Sequence, residues 1–213
     1  MKAKAKSRRV RESSLETQRI ILDAALQEFS AKTYDAARVD EIAELTGLNK
    51  NVLYHHFSSK DKLFAAVLQR TYNEIRKSHN EIKLRGMAPA AAMRKLVIST
   101  GRIWLRYPQF QQMIRCENLL EGRHVKSSDD MSHKYDPLLD SLREILQRGV
   151  DEGAFRQGVD PVDLYISISG LTAHYINHRY TLETIFHENL MSARRLKQRL
   201  EHAADMVLRY IEK

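Results

Sequence analysis

Four polar side chains crowd into a short stretch of this sequence: Lys50, Asn51, Tyr54 and His55. In an α-helix, positions i, i+1, i+4 and i+5 lie on one face, because each turn takes about 3.6 residues. Such a face presents a cation, an amide, a phenol and an imidazole, which can reach base edges and phosphate oxygens in a DNA major groove. The spacing therefore favours a helix that reads nucleic acid, although a solvated helix of an all-α domain could have the same composition.

The residues around this face predict two short helices joined by a tight turn. Apolar residues recur at helical spacing from Val39 to Leu45, and Gly47 can end that helix in a left-handed conformation. Asn49 can then cap a second helix, whose buried side would carry Val52, Leu53 and Phe57. This arrangement is a helix-turn-helix, a motif that places its second helix in the major groove.

From Thr17 to Leu63 the chain resembles the DNA-binding domain of the TetR family of transcriptional regulators. The matching positions follow one another in a fixed order: Thr17–Arg19, Ile21–Leu22, Ala24–Ala25, Phe29, Tyr34, Val39, Ile42–Ala43, Gly47, Leu53–Tyr54, His56–Phe57 and Ser59–Leu63. The C-terminal part resembles RutR-like members through Glu117–Leu119 and Thr184–Phe186. The resemblance implies a dimer that binds DNA, most often as a repressor, and that a small-molecule effector releases.

The predicted DNA contacts combine the face of the second helix, residues flanking it and a basic arm: Arg8, Arg9, Arg11, Thr17, Arg38, Lys50, Asn51, Tyr54, His55, His56 and Lys60. Lys60 stands near the start of the next helix, where free backbone N–H groups suit a phosphate. Residues 1–14 hold six lysines and arginines against a single acidic residue, Glu12. We expect a disordered arm there that follows the phosphate backbone or enters a minor groove, or else only a solubilising tail.

Helix signals divide the whole chain, and they predict an all-α protein with about nine helices. Ser13 and Glu16 have capping-box spacing for a first helix ending near Lys32, and Ser58 and Asp61 repeat it before a fourth helix that runs to about Leu84. All four prolines stand at expected helix starts, two of them after the aspartates Asp136 and Asp160. The later helices are expected at about 89–106, 108–121, 136–152, 161–180 and 192–211, with a polar loop from Gly122 to His133.

The chain is predicted to consist of a disordered basic arm (1–14), a three-helix DNA-binding domain (15–63) and an effector-binding and dimerisation domain (64–213). On the last helix, an apolar stripe suggests a homodimer through the last two helices: Leu196, Leu200, Ala203, Ala204, Val207, Leu208 and Ile211. Small residues on the preceding helix would permit close approach: Ser167, Ser169, Gly170 and Ala173. The alternative is that both stripes face the core of their own subunit.

An unknown small-molecule effector is expected among polar and aromatic residues of the C-terminal helices: Trp104, Arg115, Asn118, Tyr165, His174, Tyr175 and His178. Small ligands are commonly held by aromatic walls with a few hydrogen-bonding groups. Arg115 suggests an anionic or carbonyl-bearing ligand, but it could equally pair with Glu117 or Glu121.

Two other classes of protein compete with a ligand-controlled regulator. His174 and His178 have the i, i+4 spacing of a helical metal site, with His124 or His133 as a third ligand, but position 175 is Tyr rather than the Glu of a zincin. The sequence contains no nucleophile elbow, phosphate-binding Gly-rich loop or dinucleotide fingerprint, so we expect neither an enzyme nor a cofactor. An architectural DNA-binding protein would use the arm and the helix-turn-helix, but the C-terminal helices would then have no assigned function.

Composition agrees with a DNA-binding protein. The 213 residues are 43% hydrophobic, enough for a substantial core, and carry a formal net charge of +8. Cys116 is the single cysteine, which excludes a disulfide within the chain. With neither a leader pattern nor an apolar run of about 18 residues, we expect a cytoplasmic protein that binds no membrane. The two-fold dimer that the family resemblance implies predicts a palindromic operator in double-stranded DNA.

Overall fold

The computed structural model describes residues 2–128 and 137–213, with side chains described from residue 13 onward. Its described part contains eleven helices and no strand. They are α1 (Lys2–Ala31), α2 (Val39–Thr46), α3 (Lys50–Phe57), α4 (Lys60–Asn80), α5 (Pro89–Arg106), α6 (Pro108–Leu119), α7 (Arg123–Lys126), α8 (Pro137–Asp151), α9 (Pro161–Asn177), α10 (Arg179–Phe186) and α11 (Ala193–Ile211). The all-α prediction is confirmed, and none of these helices is long and apolar enough to cross a membrane.

The chain forms two compact units. The first unit consists of Met1–Tyr72 and Gln109–Lys134, and the second of Asn73–Pro108 and Tyr135–Lys213. The first unit therefore contains α6 from Gln109 onward and α7, in addition to the three helices of the predicted DNA-binding domain.

An aromatic cluster forms the centre of the first unit. The rings of Phe29 and Phe64 meet edge to face with centroids 5.0 Å apart, and Tyr34 lies 5.1 Å from Phe64. Ile21, Ile42 and Leu53 bring α1, α2 and α3 onto this cluster, and all three are fully or almost fully buried. Because Leu53 anchors the inner side of α3, the opposite side of that helix is exposed.

In the second unit, α11 packs against α5 and α9. A Cβ atom at Gly101 of α5 would lie 2.3 Å from Leu200 Cδ2, so the glycine permits a close approach of these two helices. The side of α11 toward this core is apolar and consists of six buried residues: Leu200, Ala203, Ala204, Val207, Leu208 and Ile211. These helices are held together by a hydrophobic core within one chain.

Several helix boundaries differ from the predicted ones. Helix α1 begins at Lys2 rather than Ser13, because Lys, Ala and Arg favour helix and no Gly or Pro interrupts them. Residues 2–14 are therefore helical, which corrects the expectation of a disordered arm. Ser13 lies inside α1, where its carbonyl accepts a hydrogen bond from Thr17 Oγ1 at 2.9 Å, so it caps nothing.

At the start of α4, Ser59 rather than Ser58 is the capping residue. Its Oγ accepts from the backbone N–H of Lys62 at 3.1 Å, whereas Ser58 has a positive φ of 48°. Helix α4 itself ends at Asn80, before the expected end near Leu84.

Two short helices were not predicted. Helix α7 lies within the expected loop from Gly122 to His133, of which residues from 129 onward are outside the described part, as is the predicted cap Asp136. Helix α10 follows a break at His178, so the helix expected to span 161–180 ends at Asn177.

Candidate nucleic-acid interface and ligand-binding residues

The turn between α2 and α3 forms as the sequence predicts. Gly47 adopts a left-handed conformation with φ 66°, and its N–H bonds back to the end of α2. Asn49 Oδ1 then accepts from the backbone N–H of Asn51 at 2.9 Å and caps α3. A free N–H group at the helix start is satisfied in this way, which fixes where α3 begins.

The outer face of α3 is exposed to solvent and carries four of the residues predicted to contact DNA. Lys50, Asn51, Tyr54 and His55 are all exposed, the Tyr54 ring at 39%. His56 is half-buried beside the rings of His55 and Phe57, so it contributes less to this surface. The structure thus brings four of the predicted DNA-contacting residues together on one helix face.

A carboxylate on α2, Asp40, pairs with the cation of this face. Lys50 Nζ donates to Asp40 Oδ1 at 2.7 Å, which raises the pKa of Lys50 and lowers the pKa of Asp40. Arg38 is exposed, with its guanidinium 3.9 Å from the other oxygen of Asp40. Since these side chains are solvated, the pairs are weak and can be exchanged for phosphate or base contacts.

The other predicted contacts have local partners. Lys60 Nζ lies 4.7 Å from the centroid of the Tyr34 ring and donates to Asp35 O at 3.4 Å, so it is held near the start of α4. Thr17 is half-buried on α1. Arg8, Arg9 and Arg11 lie on the first turns of α1, and their side chains are outside the described part of the chain.

The first unit also contains a polar cluster, centred on buried Glu117 and His124, that the sequence analysis did not identify. Glu117 Oε1 accepts from the backbone N–H groups of His124 at 2.7 Å and Val125 at 3.0 Å, and Glu117 Oε2 lies 2.8 Å from His124 Nδ1. The opposite ring nitrogen, Nε2, lies 3.3 Å from Asp61 Oδ1. The Tyr34 hydroxyl donates to the same oxygen at 2.7 Å.

These contacts shift the pKa values of Asp61 and Tyr34. The hydrogen bond from Tyr34, followed by the contact with His124, lowers the pKa of Asp61, while burial and the bond to Asp61 raise the pKa of Tyr34. The cluster joins α6 and α7 to the loop before α2 and to the start of α4. One sequence signal could have found it, because Glu117 shares the buried face of α6 with Met113 and Cys116 at helical spacing.

The seven residues predicted to bind an effector are divided between the units. Trp104 is buried, and its Nε1 donates to Thr172 Oγ1 at 3.0 Å in the second unit. Tyr165 and Tyr175 are half-buried there; the Tyr175 hydroxyl donates to Leu190 O at 2.6 Å, and burial raises the pKa of Tyr175. Arg115 and Asn118 belong to the first unit, where both are exposed on α6. The set is therefore not assembled within either unit.

His174 and His178 have neither the setting of a ligand pocket nor that of a metal site. Both are exposed, and their rings stack with centroids 4.1 Å apart and planes at 25°. No group of three or more potential metal ligands occurs among the described residues. Of the proposed third ligands, His124 is bound by Glu117, and His133 lies outside the described residues. The alternative of a metal-dependent protein has no support in this geometry.

The apolar stripe predicted to form the dimer interface is buried within one chain. Six of its seven residues lie in the core of the second unit, and Leu196 is half-buried, so the interpretation as a subunit surface is wrong for these positions. The large hydrophobic residues that are exposed on α9 and α11 are different ones: Val162, Ile166, Met206 and Tyr210. A groove of about 440 Å³ lies between these helices and is lined by Leu171, Met206 and Tyr210 among others.

Comparisons with known proteins identify the family. Residues 21–67 match the model described as bacterial regulatory proteins of the tetR family, and residues 89–207 match that of tetracyclin repressor-like C-terminal domains. The chain is 29% identical over 189 residues to the transcriptional repressor NicS of Pseudomonas putida, covering 89% of each protein. It is 26% identical over 188 residues to the transcriptional regulator RutR of Escherichia coli, covering 88% of this chain and 87% of RutR.

A solved structure shows the same fold. The ketosteroid transcriptional regulator KstR2 of Mycobacterium tuberculosis is 19% identical and superposes with a TM-score of 0.65, over 92% of this chain and 95% of the other. Together with the capped α3 and its exposed polar face, these matches show that the chain belongs to the TetR family of helix-turn-helix transcriptional regulators.

Proposed function

We propose that this protein is a ligand-responsive repressor that binds a palindromic operator as a dimer. The observation that carries the proposal is the exposed face of α3, where Lys50, Asn51, Tyr54 and His55 project from a helix fixed by Gly47 and Asn49. Asn can bond the edge of adenine through two atoms, and Lys can donate to guanine, so this face can discriminate bases. The name of NicS, a transcriptional repressor that matches over 89% of this chain, supports repression.

The exposed apolar residues of α9 and α11, not the buried stripe, support the proposed dimer. Ile166 is 60% exposed and Tyr210 54% exposed, and Gly170 has open space where a side chain would stand. Apolar residues exposed on two neighbouring helices favour a four-helix interface around a two-fold axis. Such a dimer would place two α3 helices in successive major grooves about 34–36 Å apart, which requires a palindromic site.

Two substitutions on α11 separate the interface from the core. Met206→Glu should convert the dimer to a monomer that stays folded, because it puts charge on the exposed face. Leu200→Ala should keep the dimer but lower the free energy of unfolding by about 2–5 kcal/mol through a cavity. Sedimentation velocity and urea unfolding of both variants measure these effects. A dimeric Met206→Glu variant would show that this face is not the interface.

Regulation requires coupling between the effector and the reading helices. Helix α4 is continuous from Lys60, next to the helix-turn-helix, to Asn80 in the second unit. A ligand that changes the position of α4 can therefore change the spacing of the α3 helices in a dimer. A coupling free energy of about 1–3 kcal/mol would lower operator affinity roughly 5–150-fold.

Selection of DNA from a random pool tests the proposed function. The full chain should enrich one palindrome, and Asn51→Ala should lower the affinity for it by about 1–3 kcal/mol and relax the preference at particular base pairs. Lys197→Ala, which removes an exposed cation from α11 in the second unit, is the matched control and should bind like the parent. Enrichment of unrelated sequences would instead indicate an architectural DNA binder.

A further inference from the structure

A second group of cations, separate in sequence from those of α3, lies in a surface groove of the second unit. The groove has a volume of about 370 Å³ and is formed by the end of α4, the turn after it and α5. Lys95, Arg102 and Arg106 line it from α5, where positions i, i+7 and i+11 fall on one face. Lys83 adds a fourth cation from the turn, and Glu81 is the one carboxylate in this lining.

These cations are not neutralised by the protein. Among the described side chains, no ion pair involves Arg102 or Arg106, and Lys95 Nζ donates to a backbone oxygen, Lys83 O, at 2.8 Å. Arg94 on another face of α5 differs, because it pairs with Glu201 and Asp205 of α11. Like charges gathered without counterions repel one another, and an anion bound between them relieves that repulsion.

The groove also has an apolar side. Ile103 is only 7% exposed and forms part of the lining, together with half-buried Ile82. Its volume falls within the range of small-molecule sites, about 300–1,000 Å³. The two arginines offer planar forks of donors that match a carboxylate or a phosphate, while the isoleucines can contact a hydrocarbon part.

We propose that this groove binds a small organic anion with an apolar tail, its carboxylate or phosphate head held by Arg102 and Arg106. None of the residues predicted from sequence to bind an effector lines the groove. Ser78 of α4 does line it, so a bound ligand would contact the helix that continues to the helix-turn-helix. A role as effector site rests on the proposed regulatory function, whereas the binding of an anion does not.

Titration calorimetry with four probes tests the site and identifies the head group: octanoate, octyl phosphate, inorganic phosphate and octanol. We expect one of the two amphipathic anions to bind saturably with one ligand per chain, and octanol not to bind. Arg102→Gln/Arg106→Gln should weaken that binding about tenfold or more, because two charge-assisted contacts are lost. Arg102→Lys/Arg106→Lys keeps the charge and should lie between this variant and the parent.

The control is Arg194→Gln/Lys197→Gln, which removes two exposed cations from α11 outside the groove. It should bind the anion like the parent. The inference is overturned if neither amphipathic anion binds, if octanol binds equally well, or if the groove variant keeps the affinity of the parent.

Operator affinity in the presence of the bound anion tests the regulatory role separately. We expect the anion to weaken operator binding by the parent but not by Arg102→Gln/Arg106→Gln. Anion binding without any change in operator affinity would overturn the effector role alone. A chain that selects no operator would overturn the proposed function, while the calorimetry would still decide the groove.

Discussion

Glu117 in the first unit and Arg102 in the second both belong to clusters of charged groups, but their surroundings are opposite. The Glu117 carboxylate is 2% exposed and accepts from two backbone N–H groups, with the His124 ring at its second oxygen. Arg102 is exposed in a groove with three other cations and has no ion-pair partner among the described side chains. The first cluster is complete within the protein, and the second lacks its counterion.

This difference indicates a structural role for the first cluster and a binding role for the second. A buried polar network whose members all have partners fixes the geometry of the elements that it joins. Here it joins α6 and α7 to Tyr34 before α2 and to Asp61 at the start of α4, the elements on either side of the helix-turn-helix. The exposed arginines of the groove form no ion pair with a described side chain and can therefore bind an anion from solution.

The largest expected effect comes from removing the centre of the complete cluster. Glu117→Ala should lower the free energy of unfolding by about 3–5 kcal/mol, because it leaves His124 Nδ1 and two backbone N–H groups buried without their carboxylate partner. Urea unfolding followed by circular dichroism measures the loss. Glu44→Ala, which removes an exposed carboxylate from α2, should change stability by less than about 0.5 kcal/mol. An equal effect of both variants would contradict the structural role of the cluster.

A smaller effect is expected from Tyr34→Phe, which removes one hydrogen bond and leaves the ring. Its cost at neutral pH should be about 0.5–1.5 kcal/mol. The pKa of Asp61 is lowered chiefly by Tyr34, so the stability that this carboxylate contributes is present above its unfolded pKa and is lost as the pH falls through its folded pKa. Without Tyr34 the folded pKa returns toward the ordinary value of 3.8.

The stability of Tyr34→Phe should therefore depend less steeply on pH than that of the parent between about pH 5 and pH 3. Denaturant unfolding across this range compares the two slopes, and groups common to both proteins cancel. Tyr180→Phe, at a residue that is 69% exposed, should keep the slope of the parent. Parallel curves for Tyr34→Phe and the parent would show that the phenol does not control Asp61.

Local signals made much of the fold predictable. Gly47 and Asn49 fix a turn through their own backbone and side-chain bonds, and Asp160 caps α9 by accepting from Val162 N and Asp163 N. These interactions join residues close in sequence, so residue type and spacing are enough to predict them. The exposed face of α3 was predictable for the same reason.

The sequence could not show which element or residue each helix face contacts. The stripe around Leu200 is apolar whether it packs against a second subunit or, as found, against α5 of its own chain. His124 and Asp61 are 63 residues apart, and neither residue type shows that they meet. The groove likewise combines Lys83 with α5, and the excess of cations over its one carboxylate, Glu81, is a property of the folded surface.

The smallest expected change in stability comes from the incomplete cluster, the groove cations around Arg102 and Arg106. The sign of this change distinguishes them from the complete cluster around Glu117. Arg102→Gln/Arg106→Gln removes two cations with no described ion-pair partner, so the free energy of unfolding should stay within about 0.5 kcal/mol of the parent or rise slightly as repulsion is relieved. Added octyl phosphate or octanoate should stabilise the parent, since a ligand that binds only the folded state raises the free energy of unfolding. The variant should lose that response, and thermal melts with and without the anion measure both effects. A variant destabilised as strongly as Glu117→Ala would show that the arginines hold the fold together, and the distinction between a complete and an incomplete cluster would fail.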